Sequence, residues 1–122
     1  MGLGLGFGLN KSRKVASLDV STQAVFNEAT LQGYTLPSSS TQTYLNTLIT
    51  TLKSIGAWDE LDVLWVFATD GDSDFATLNL KAPTLFKCSP VNSPIFTSLE
   101  GFTGNGSTSY LTTGWNPAPN GS

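Results

Sequence analysis

The chain has no histidine and only one cysteine, Cys88. The first absence removes Ser-His-Asp and Cys-His catalysis together with the commonest transition-metal ligand. The second removes any intrachain disulfide and any cysteine-based zinc cluster, and leaves Cys88 to be read as a small buried apolar residue. Charge is scarce as well: Asp, Glu, Lys and Arg make up 12% of 122 residues, against about 25% in an ordinary soluble domain. No run approaches the ~18 consecutive apolar residues of a membrane helix, so no membrane partner is expected. The N-terminus lacks the basic-then-apolar order of a secretory signal, and Gly6 stands where a myristoylation site needs Ser or Thr.

What the chain has instead is Ser, Thr, Asn and Gly in quantity, a polar, uncharged composition that suits proteins packed into assemblies. The length allows one domain with a modest core. The net charge of −3 is unevenly spread: Lys11, Arg13 and Lys14 lie near the start, whereas Asp59, Glu60, Asp62, Asp70, Asp72 and Asp74 crowd the centre. Three basic residues without interleaved aromatics, on an acidic chain, argue against a nucleic-acid partner.

The opening MGLGLGFGL places glycine at every even position and Leu3, Leu5, Phe7 and Leu9 between them. On an extended chain those four side chains share one edge, and the other edge carries none. Such a ribbon is costly to order by itself, because glycine loses much conformational entropy. Against a groove or a sheet edge of another protein, each large side chain would contribute up to ~1.5–3 kcal/mol if fully buried. Residues 1–14 are therefore read as an extended docking arm, with Leu3, Leu5, Phe7 and Leu9 as partner-binding residues.

The fold class expected is α+β: two short helices packed on a buried strand within a body spanning residues 15–100. An extended β and loop tail, residues 101–122, follows, with room for the start of a further domain. In the first helix, capped by Ser21 or Thr22 and stopped at Gly33, Ala24, Val25, Phe26, Ala29 and Leu31 line the apolar side. In the second, Leu45, Leu48, Ile49, Leu52 and Ile55 form the stripe, Ser39 and Gln42 a capping box, and Gly56 the stop. Asp59 to Leu61 read as a helical turn, and Val63 to Ala68 as a strand buried on both faces. Beyond Thr69, frequent proline leaves room for short extended pieces at Leu78 to Lys81, Ile95 to Leu99 and Thr108 to Thr113.

The sharpest candidate site is TDGDSDF. Asp70, Asp72 and Asp74 alternate in the way that lets carboxylates converge on a hard cation such as Ca²⁺. The rest of a calcium loop is missing, since Phe75 and Lys81 stand where Gly and Glu belong. The competing reading is a solvated turn in which Asp70 caps the bend, Gly71 takes the unusual dihedral and Phe75 returns to the core. A glycosidase pair would need a cleft that so small a domain has little volume to build. Trp58 and Trp65 read as packing residues, and Trp115 as the tryptophan free to make a contact.

The blocks LDVLWVFATDGDSDFATLNLK and SPIFTSLEGFTGNGSTSYL resemble segments of structural proteins of tailed bacteriophages, particularly those of Bacteroidetes hosts, over roughly residues 20 to 117. In that group the blocks precede a concanavalin-like β-sandwich, in fibre, tail or head-attached virion components. The resemblance implies a non-enzymatic virion protein, with capsid, neck or tail proteins as partners and homo-oligomers, often trimers, as the habit. It brings no catalytic motif and no cofactor. The match breaks off at TTGWNPAPNGS, where the sandwich would begin, so this chain is expected to be the base of a longer fibre protein. The alternatives are a carbohydrate- or calcium-dependent host-binding module using Asp70, Asp72, Asp74 and Trp115, and a hydrolase fragment of a surface depolymerase.

Overall fold

The computed structural model describes residues 17–117. Their architecture is α+β: helices α1 (Val20–Gln32) and α2 (Ser39–Ser54), a 3-10 turn at Trp58–Glu60 and a single-turn helix α3 (Ser73–Ala76) precede four three-residue strands. The strands are β1 (Ser89–Val91), β2 (Ile95–Thr97), β3 (Gly101–Thr103) and β4 (Tyr110–Thr112), and they form two separate antiparallel pairs. The inner pair is a hairpin with Phe96 opposite Phe102; the outer pair sets Ser89 against Thr112 and Val91 against Tyr110. Both pairings cross the boundary expected at residue 100. The expected arm, residues 1–14, lies outside the described residues.

Helix α1 buries Thr22, Val25, Phe26 and Ala29, the i, i+3, i+4, i+7 face of a helix against a core. Two expected members of that face point elsewhere: Ala24 is exposed and Leu31 is 79% exposed. The cap also differs from expectation. The helix starts at Val20, so Ser21 and Thr22 lie inside it, and Asp19 holds the N-cap position without a side-chain capping bond. The Asp19 carboxylate instead pairs with Lys53 of α2 at 2.7 Å, while the Asp19 amide donates to Asn46 Oδ1. At the other end Gly33, with φ of +80°, lets its amide return to the carbonyls of Ala29 and Thr30.

Helix α2 buries Thr41, Leu45 and Ile49. Its cap is one residue earlier than expected: Ser38 Oγ accepts from the Thr41 amide at 3.3 Å, and Gln42 Nε2 donates to the Pro37 carbonyl. Ile55 is 69% exposed rather than part of the stripe, because the helix ends at Ser54. Val25, Phe26, Ala29, Leu45, Phe75, Leu78 and Leu80 form the main core cluster, with Leu18, Tyr34, Leu36, Leu64 and Val66 packed at its margin.

Val63 to Ala68 forms no strand and is mostly half-buried rather than buried on both faces. Among the described residues it has no ladder partner. Its backbone is held locally: the Leu64 amide donates to Asn79 Oδ1 and the Leu64 carbonyl accepts from the Leu80 amide. The continuous buried stretch lies further on, from Phe75 to Leu80, and includes Thr77 and Asn79. Cys88, fully buried, donates its amide to the Thr77 carbonyl, which ties the start of β1 to this stretch. Leu78 to Lys81, expected to be extended, contains no strand.

Candidate functional site

The turn carrying the three aspartates is clasped to the turn that leads into α2. Asp72 is the N-cap of α3: its Oδ1 accepts from the Phe75 amide at 2.8 Å and its Oδ2 from the Thr35 amide at 2.9 Å. Asp70 Oδ1 accepts from the Ser38 amide at 3.0 Å. Between them Gly71 allows the two backbones to touch, since a Cβ there would stand 2.8 Å from the Thr35 carbonyl oxygen and 3.2 Å from Pro37 N. Close approach, not a left-handed dihedral, is what calls for glycine at this position.

Asp70 and Asp72 thus use their carboxylates on backbone amides of the neighbouring turn, and Asp74 sits exposed on α3. The structure does not bring the three together. Among the described residues no group of three or more Cys, Asp or Glu side chains is placed to hold a metal ion. The alternating spacing also serves a helix cap, at Asp72, and a turn-to-turn clasp, at Asp70 and Asp72.

Hydrogen bonds from the Ser38 hydroxyl and amide hold the Asp70 carboxyl below the usual carboxylate range. Asp70 therefore binds its proton at lower pH in the folded chain than in the unfolded one. Its contribution is full at neutral pH and fades as pH falls below about 4, through the depressed folded value. In Asp70→Asn this part of the acid sensitivity is expected to vanish: the wild-type and variant stabilities, measured by urea unfolding at a series of pH values, draw together as pH falls below the ordinary carboxylate range. Parallel curves would show that Asp70 carries no such linkage.

The aromatic residues divide as follows. Trp58 is buried, with the ammonium groups of Lys53 and Lys81 at 5.5 and 4.9 Å from its ring centroid. Trp65 donates its indole N–H to the Phe86 carbonyl at 3.0 Å. Both are packing residues. Trp115, expected to be free, is half-buried, and its indole N–H is buried without a hydrogen-bond partner among the described residues. Leu3, Leu5, Phe7 and Leu9 lie outside the described residues.

One concavity was not anticipated from the sequence. A shallow groove of about 270 Å³ runs between the outer side of α1 and the turn after Lys81, lined by Ala24, Asn27, Glu28, Leu31, Pro83 and Thr84. Its signal was present in the sequence as Ala24 and Leu31, but reading both as core residues hid it. No described helix is long and apolar enough to cross a membrane. No protein-family model, curated protein or solved structure matches this chain.

Proposed function

We propose that this chain is a non-enzymatic bacteriophage virion structural protein, in which an N-terminal arm anchors a fibre, tail or neck component to the particle. The observation that carries the reading is the alternation of Leu3, Leu5, Phe7 and Leu9 with glycine over the first nine residues. Residues of that kind contribute little to the core of their own domain and much to a groove or sheet edge that fixes them. The small α+β body is the positioning part. Within its acidic stretch Asp70 and Asp72 fasten one turn to another, which supports this role. The partners proposed are capsid, neck or tail proteins, in a homo-oligomeric assembly.

Deleting residues 2–9 is expected to abolish incorporation while leaving the body folded. Four anchors at up to ~1.5–3 kcal/mol each set the scale, reduced by the cost of ordering the glycines, so a loss of at least tenfold is expected. The measurement is the amount of protein that sediments with particles assembled from wild-type or deleted chains, with circular dichroism to check the fold. Undiminished incorporation of the deleted chain would overturn the proposal.

A further inference from the structure

The loop between β3 and β4 carries the dipeptide Asn105-Gly106, and it gathers hydrogen-bond donors around the asparagine side chain. Asn105 Oδ1 accepts from three successive backbone amides, those of Ser107 at 2.9 Å, Thr108 at 2.8 Å and Ser109 at 3.1 Å. Its Nδ2 donates to Thr108 Oγ1 at 3.0 Å, and its own amide donates to Ser109 Oγ at 2.7 Å. Gly104 lets the loop close this tightly, since a Cβ there would stand 2.8 Å from the Ser109 carbonyl oxygen. A neutral carboxamide oxygen has two lone pairs, so a third donor is more than its satisfaction requires. Several fixed N–H groups aimed at one oxygen are the arrangement that stabilises negative charge developing there.

The next residue supplies a nucleophile. Gly106 is exposed, nothing lies within 4 Å of where its Cβ would stand, and no described residue accepts from its amide. Its nitrogen is thus unencumbered and within the same short stretch of covalent chain as the Asn105 side-chain carbonyl, and asparagine is among the thermolabile residues. We propose that Asn105 is a self-modifying site, at which the Gly106 nitrogen displaces ammonia from the Asn105 carboxamide and the three-amide nest directs the resulting ring to open to aspartate.

In the first step the Gly106 nitrogen gives its proton to water and bonds to Asn105 Cγ, while the carbonyl electrons move onto Oδ1, where the three amides receive the charge. The electrons return, the bond from Cγ to Nδ2 breaks, and the departing nitrogen takes a proton from the Thr108 hydroxyl, which regains one from water. Ammonia leaves and a cyclic imide remains. In the second step a water molecule opens the ring. Attack at Cγ gives aspartate and restores the backbone, whereas attack at the Asn105 main-chain carbonyl carbon gives isoaspartate and reroutes the chain through the side chain. The nest is aimed at the oxygen on Cγ, so it favours aspartate. In sum, a carboxamide and a water become a carboxylate and an ammonium ion, with no oxidation or reduction. The new carboxylate keeps the same three donors, now as charge-assisted hydrogen bonds, which are the stronger kind. The loop gains a negative charge and the chain between β3 and β4 keeps its length.

The test compares the full-length chain, folded in sodium chloride, with the same chain unfolded in guanidinium chloride of equal ionic strength. Both are aged at the same mildly alkaline pH and temperature, circular dichroism checks that the first stays folded, and peptide mapping uses fragmentation that tells aspartate from isoaspartate. The folded chain is expected to lose the Asn105 carboxamide at least as fast as the unfolded one. Its ratio of aspartate to isoaspartate is expected to be higher by about tenfold or more, because one fixed donor to a developing oxyanion is worth about 10²–10³ in an enclosed active site and less in a loop open to water. Slower conversion of Asn105 in the folded chain would overturn the proposal, since the hydrogen bonds would then serve only to hold the loop. A product ratio close to that of the unfolded chain would overturn it as well, because the nest would not be directing the ring.

Discussion

Asn79→Ala is expected to destabilise the protein by roughly 3–5 kcal/mol, because it strips partners from three backbone groups at once. Asn79 is fully buried, and its side chain substitutes for a missing strand. Its Oδ1 accepts from the amides of Leu64 and Lys81 at 2.9 and 3.1 Å, and its Nδ2 donates to the Leu85 carbonyl at 3.2 Å. Each such group left unsatisfied away from water costs about 1–3 kcal/mol, and a cavity adds to the sum. For a domain of this size the midpoint of thermal unfolding should fall by roughly 15–25 °C. Urea unfolding of the two proteins gives the free-energy difference directly; a loss under about 1 kcal/mol would mean that water or a shifted loop satisfies these groups.

Phe75→Ala is expected to cost about 3–5 kcal/mol, the range for truncating a buried phenylalanine. Phe75 is 2% exposed and its ring lies 6.0 Å from that of Phe26, so it joins the single turn of α3 to α1. A helix of four residues has no stability of its own, and this ring is its main apolar anchor. Asp72 caps the amide of Phe75 itself. Loosening α3 therefore loosens the clasp, and the effect of Asp70→Asn should shrink in the Phe75→Ala background. A double-mutant cycle measures this coupling; strict additivity would show that the clasp holds without α3.

The helices were legible in the sequence because their signals are local. The α2 stripe and its serine cap follow from spacing, with an error of one residue in the cap that nearby Ser38 and Ser39 make natural. Helix α1 was harder, since Thr22 occupies a core position that an apolar count passes over, and exposed Ala24 and Leu31 imitate core residues. The run Val63 to Ala68 has the composition of a strand but lacks a strand to pair with among the described residues, and composition cannot reveal a missing neighbour. Its partner is the side chain of Asn79, fifteen residues away. The buried stretch Phe75 to Leu80 was missed for the related reason that Thr77 and Asn79 look like loop residues until their hydrogen bonds are seen. In the second half, the runs expected to be extended, Ile95 to Leu99 and Thr108 to Thr113, hold strands only at Ile95–Thr97 and Tyr110–Thr112, with Leu99 in the hairpin turn at φ of +65° and Thr108 in a bend, and which strand pairs with which is not readable from the sequence. The aspartates show the limit on the site: their spacing fits both a cation and a cap, and it does not reveal that the amides of Thr35 and Ser38 lie against Asp72 and Asp70.

The nesting of the two strand pairs determines how the protein yields to tension. Ser89 and Thr112 form the rung where the chain enters β1 from the helical part and leaves β4 towards the C-terminal residues. A pull between those two parts acts on one end of the ladder, so the rungs open one after another instead of sharing the load in shear. The inner hairpin is fastened to the rest by the Leu99 amide on the Thr69 carbonyl and by the edge-to-face rings of Phe67 and Phe102. Under load the outer pair would peel first and lengthen the chain, acting as a short mechanical fuse ahead of the core.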